Sequence, residues 1–108
     1  MSEHRKIQIS EVIAHTAAEF IKRESNRQSL ITITRADISP DFKQATIFFT
    51  VFPESEEMHA IEFMKRNRKN FREYFKKKAK MKTLPLFDFE IDSGEKHRLH
   101  IETISNNT

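Results

Sequence analysis

With 108 residues and 37% hydrophobic content, the chain has the material for one modest core rather than two, so a single domain over residues 1–108 with short polar tails is expected. No cysteine is present, which excludes a disulfide framework and a thiolate metal site. The N-terminus is polar and no apolar run approaches the length of a membrane span, so a cytoplasmic protein with no membrane partner is expected.

In chain order, Ile9, Val12, Ile13, Ala17, Phe20 and Ile21 recur at helical spacing and predict an amphipathic helix over Ile7 to Glu24. After the polar residues 25–29, the β-branched run Leu30-Ile31-Thr32-Ile33-Thr34 predicts a strand reaching towards Ile38. Ser39-Pro40-Asp41 then reverses the chain, and Gln44 to Phe52 pairs back as the second strand of a hairpin. This strand is apolar on both faces. Ala45, Ile47, Phe49 and Val51 lie on one, Phe48 and Phe52 on the other, where a terminal helix is the expected cover.

Pro53 and the acids Glu54, Glu56 and Glu57 mark the start of a second helix, because carboxylates favour the positive end of a helix dipole. Met58, Ile61 and Met64 form its apolar side, and Phe71, Tyr74, Phe75 and Ala79 resume the stripe. Between them, residues 65–70 contain no apolar member, which predicts a bend between two helices, the latter ending near Lys82. After Pro85, Phe87, Phe89 and Ile91 alternate with Asp88, Glu90 and Asp92, the period of a strand with one wet face. Residues 95–104 read as a short final helix. A connection long enough to hold two helices returns the chain parallel to its start. The result is an α+β fold: helix-strand-strand-helix-helix-strand, a three-stranded mixed sheet with helices on one face.

Charge is the main functional signal. Residues 65–82 hold ten of the nineteen lysines and arginines against the single acid Glu73, leaving nine cations for fifteen acids elsewhere, a balance of −6. Such segregation suits a polyanionic partner. Lys65, Lys69, Arg72, Lys76 and Lys80 would form one cationic ridge if the helix were continuous, and Arg66, Arg68, Lys77 and Lys82 extend the candidate nucleic-acid surface. Lys78 falls on the apolar side of the wheel and is expected to snorkel. The alternative is a solvated basic face on a protein-interaction module that docks through Phe48 and Phe52.

Gly94 is the one glycine, so neither a Gly-x-x-Gly nucleotide clamp nor a P-loop nor a dinucleotide fingerprint can be built. Recognition by shape and backbone contact is the remaining route. His97 and His100 lack further ligands at suitable spacing, and the carboxylates after Pro85 have the period of a solvent face. No metal, cofactor, small-molecule substrate or catalytic residue is therefore assigned, and the chain is read as a non-enzymatic monomer.

Ile31-Thr32-Ile33-Thr34, Ser39-Pro40-Asp41-Phe42, Ala45-Thr46-Ile47 and Pro85 with Phe87, Phe89 and Asp92 resemble the ordered landmarks of the ribosome-binding factor A family, over about residues 5 to 104. The resemblance implies a type II KH fold and a cytoplasmic factor that binds the free small (30S) subunit near the terminal helix of its rRNA. It further implies support of late assembly and 16S rRNA maturation, often at low temperature. A non-specific RNA or DNA chaperone is the alternative. The sequence departs from the family pattern in two places: Asn67-Arg68-Lys69 stands where a glycine-containing bend is common, and Leu86 where an acid is usual.

Overall fold

Helix α1 spans Ser2–Glu24 in the computed structural model, which describes residues 2–24 and 30–94. It starts earlier than the apolar stripe does, because helical pairing continues through the polar residues that precede Ile7. Its buried face is Ile13, Thr16, Ala17, Phe20 and Ile21. Val12, expected in that stripe, lies on the edge of the face and is 48% exposed. Thr16, one turn on, is buried instead.

Strand β1 (Leu30–Ile38) and strand β2 (Gln44–Phe52) pair antiparallel, as the hairpin reading requires. The turn between them is held by side chains. Ser39 Oγ donates to Asp41 Oδ1 at 2.6 Å, and the Lys43 and Gln44 amides donate back to Ser39 Oγ at 3.2 and 3.0 Å. Phe42 takes the left-handed conformation, φ 61°, and its ring packs against the edge of the core. Along the hairpin the register shifts between Ile33 and Arg35, a bulge centred on Thr34. The bulge keeps Ile31, Ile33, Ala36 and Ile38 on one face despite their uneven spacing.

A 3₁₀ turn, Glu54–Glu56, leads into α2 (Glu57–Arg66), and α3 (Arg68–Lys78) follows after Asn67 alone. The anticipated six-residue bend is thus one residue long. In α2 the buried residues are Ala60 and Met64, and Met58 is 68% exposed rather than part of the apolar side. Helix α3 ends at Lys78, short of Lys82: Ala79 is already extended, φ −106° and ψ 122°. Like charges four apart, Lys76 with Lys80 and Lys78 with Lys82, would oppose another turn, and Pro85 demands extended chain before it.

Strand β3 (Leu86–Ile91) pairs parallel with β2 in the order β1-β2-β3, the mixed sheet predicted above. Ala36, Ile38, Ala45, Ile47, Phe49, Phe87 and Phe89 bury one sheet face against the helices. Phe71 is the hub, with ring centroids 5.5 Å from Phe20, 4.9 Å from Phe87 and 5.7 Å from Phe89, all edge-on. Asp92 is not wet: just past the strand its amide still donates to the Phe49 carbonyl at 2.8 Å, and its carboxylate is buried, accepting from Thr34 Oγ1 at 2.6 Å. The final helix read over residues 95–104, with His97 and His100, lies outside the described residues.

Candidate nucleic-acid interface

The α2–α3 junction explains how the chain turns here without glycine. Asn67 adopts φ −95° and ψ 7°, the bridge conformation open to any residue. Its amide donates to the carbonyls of Phe63 and Met64 at 3.1 and 3.2 Å, and its own carbonyl accepts from Phe71 at 2.8 Å to start α3. The Asn67 side chain donates to the Phe63 carbonyl at 2.8 Å and accepts from Asn70 at 3.1 Å. One asparagine therefore closes one helix and opens the next.

Because the break is so short, the last turn of α2 and the first turn of α3 bring Lys65, Arg66, Arg68 and Lys69 together. Arg72 stands one turn further on. The first pair complements the negative end of the α2 dipole. The second pair opposes the positive end of α3, which has no acid in its first turn and no side-chain cap. Cations at a helix N-terminus cost stability in isolation and become favourable when an anion sits between them.

These five cations line a cleft of about 420 Å³ whose remaining wall is Leu86 and Phe87 at the start of β3. Arg72 Nη1 donates to the Pro85 carbonyl at 3.3 Å, which ties the guanidinium to the cleft. Next along β3, Asp88 Oδ1 lies 3.4 Å from Arg68 Nη1 and 4.0 Å from Lys65 Nζ. Asp88, read from sequence as a member of a solvent face, is thus a partner of the basic residues. The parallel register that pairs Gln44 with Leu86 and Thr46 with Asp88 delivers it there, and sequence pattern alone does not specify that register.

The other candidate cations separate from this group. Lys76 continues the α3 row of Lys69 and Arg72, at i, i+3 and i+7, so that part of the ridge stands. Lys80 lies beyond the helix and does not continue it; with Lys82 it is exposed in the connection to β3. Lys77 faces a second groove, between α1 and α3, where Arg23 and Lys78 are balanced by Glu24 and Glu73. Lys78, expected to snorkel, is exposed with its ammonium 5.5 Å from the centre of the Tyr74 ring.

On the sheet face away from the helices, the Arg35 guanidinium lies 3.9 Å from the centre of the Phe48 ring. This Arg35 contact was not foreseen from sequence. Phe52 is 73% exposed and stands opposite Leu30. Among the described residues, no group of three or more His, Cys, Asp or Glu is placed to hold a metal, and no helix is long and apolar enough to cross a membrane.

Fold and cleft together define an α+β, KH-like protein with a cationic cleft at the junction of its two central helices. The sequence profile described as ribosome-binding factor A matches residues 5–105, and the chain belongs to that family. Ribosome-binding factor A of Polynucleobacter necessarius is 29% identical over 105 residues, covering 95% of this chain and 85% of its own. The Cupriavidus pinatubonensis protein of that name is 27% identical over 104 residues, with 94% and 84% coverage. The crystal structure of ribosome-binding factor A from Thermus thermophilus superposes with a TM-score of 0.70 at 20% identity, covering 80% of this chain and 94% of that one. A homology model of the Thermus thermophilus factor, fitted into a cryo-electron-microscopy map of a 30S complex, gives a TM-score of 0.65 at 20% identity, with 82% and 91% coverage.

Proposed function

We propose that this chain binds the free 30S subunit through its rRNA and assists late assembly and 16S rRNA maturation. It does so as a non-catalytic, monomeric factor of the cytoplasm, with no cofactor. The observation that carries this reading is the gathering of Lys65, Arg66, Arg68, Lys69 and Arg72 round one cleft at an uncapped helix N-terminus. Such a site takes phosphate, supplies affinity that falls with salt, and reads backbone shape rather than base sequence. Selectivity for the subunit then comes from RNA shape and neighbouring surfaces. Support for the partner comes from family membership and from the relative fitted into a 30S complex.

Lys76, Lys77, Lys80 and Lys82 serve in this reading as outlying phosphate contacts. Their removal should weaken binding less than removal of the cleft residues. The test is fluorescence-anisotropy titration of small-subunit rRNA with the Lys69→Glu/Arg72→Glu and Lys80→Glu/Lys82→Glu variants. The first is expected to weaken binding at least tenfold more than the second, as phosphate contacts are lost and like charge is introduced. Equal losses in the two variants would remove the cleft from its assigned role.

A further inference from the structure

We propose that Asp88 is a specificity-determining residue: its carboxylate occupies the place of a phosphate between Arg68 and Lys65 and so suppresses binding of RNA that offers backbone contacts alone. This rests on the cleft being the RNA-binding site. One oxygen, Oδ1, faces both cations, at 3.4 Å from Arg68 Nη1 and 4.0 Å from Lys65 Nζ. The same oxygen accepts the Phe89 amide at 2.9 Å, which fixes it over the start of β3 rather than leaving it to swing into solvent. All three charged side chains are about half exposed, so the pairs are weak and a phosphate can displace the carboxylate.

The consequence differs between partners. A non-specific complex draws nearly all its affinity from phosphates, so the cost of displacing Asp88 falls on it in full. A complex that also matches shape and surrounding surfaces has further contacts to offset that cost. The carboxylate thereby widens the gap between the two by weakening the wrong complex more than the right one. Among the described residues, the ion pairs to the cleft cations come from Asp88 and not from Glu90, which is exposed two residues along the same strand and provides the control.

Asp88→Asn removes the charge while keeping an oxygen to accept the Phe89 amide. Binding of a short poly(U) oligonucleotide and of small subunits is measured across a salt series for the wild type, Asp88→Asn, Glu90→Gln and Asp88→Glu. Asp88→Asn is expected to bind poly(U) about fivefold more tightly, the combined cost of breaking two exposed ion pairs, with a salt slope steeper by about one contact. Asp88→Glu restores the wild-type value, Glu90→Gln leaves it within about twofold, and binding of small subunits rises less than that of poly(U). In a Lys65→Gln/Arg68→Gln background the gain disappears. In the wild-type protein, saturation with poly(U) shifts the carboxylate ¹³C resonance of Asp88.

The proposal is overturned if Asp88→Asn binds poly(U) no more tightly, if Glu90→Gln gives the same gain, if the gain survives loss of both cations, or if the wild-type resonance does not move. Failure of the wild-type protein to bind either RNA or subunits would instead overturn the reading of the cleft itself.

Discussion

Thr34 and Asp92 are far apart in sequence and joined by a hydrogen bond of 2.6 Å that links β1 to the end of β3. The Thr34 hydroxyl has one hydrogen to donate; at 2.6 Å it is directed to the carboxylate, and the Phe48 carbonyl at 3.3 Å is secondary. Arg35 Nε, 3.5 Å from the same carboxylate, adds charge to the cluster and carries its guanidinium across Phe48. A bulge that projects a hydroxyl onto a buried carboxylate fixes where β3 ends. Thr34→Val keeps the shape and removes the donor, and should cost about 2 kcal/mol in chemical denaturation, the range for a bond to a charged group. In the hairpin turn, the Ser39 hydroxyl first and the Lys43 amide second hold the Asp41 carboxyl below its ordinary value. A depressed carboxylate stabilises the fold fully above its unfolded pKa and ceases to do so as pH falls through the lower, folded one. Titration by NMR should place the Asp41 midpoint below the ordinary carboxylate value, and Ser39→Ala should move it back upward.

At the scale of elements, the α2–α3 junction shows what a helix break requires. Asn67 needs no positive φ, so glycine at this position would bring no relief and would remove the side-chain bonds to Phe63 and Asn70. Asn67→Gly is therefore expected to lower Tm by about 5 °C, the effect of roughly 1 kcal/mol in a domain this size. A rise in Tm would show that the bend is strained as it stands. The hairpin, its turn and the order of elements were legible because β-branching, Pro40 and the Phe71–Phe75 spacing are local signals. The length of the junction was not, since six polar residues fit a loop or the wet faces of two helices equally well. Nor was the end of α3, where lysine repulsion and the approach to Pro85 outweigh good helix formers. The candidate site was half legible. The cations were visible as a charge run, but their division between cleft and groove depends on the one-residue break. Leu86, Phe87 and Asp88 enter only through the register of a parallel pair.

Across the whole molecule, the helices cover one sheet face and a chain of edge-on phenylalanines locks α1, α3 and β3 together. Phe71→Ala should cost about 4 kcal/mol, as for other buried aromatic truncations, and should loosen β3 along with α3. Hydrogen exchange at β3 amides would register that coupling; a loss of protection confined to α3 would deny it. The rigidity matters because the cleft is assembled from both: α2 and α3 supply cations and β3 supplies the wall. Charge is distributed to match, with the excess positive charge of residues 65–82 set against an acidic remainder. Such a molecule is oriented by a polyanion before it touches it. The central claim is that this cleft engages the small subunit. Its most direct test is sedimentation of the wild-type protein and the Lys69→Glu/Arg72→Glu variant with separated ribosomal subunits in a salt series. The wild type should migrate with free small subunits at near-physiological salt and leave them as salt rises, and the variant should stay at the top of the gradient. Co-migration of the variant with small subunits, or a wild type that never leaves the top, would contradict the claim.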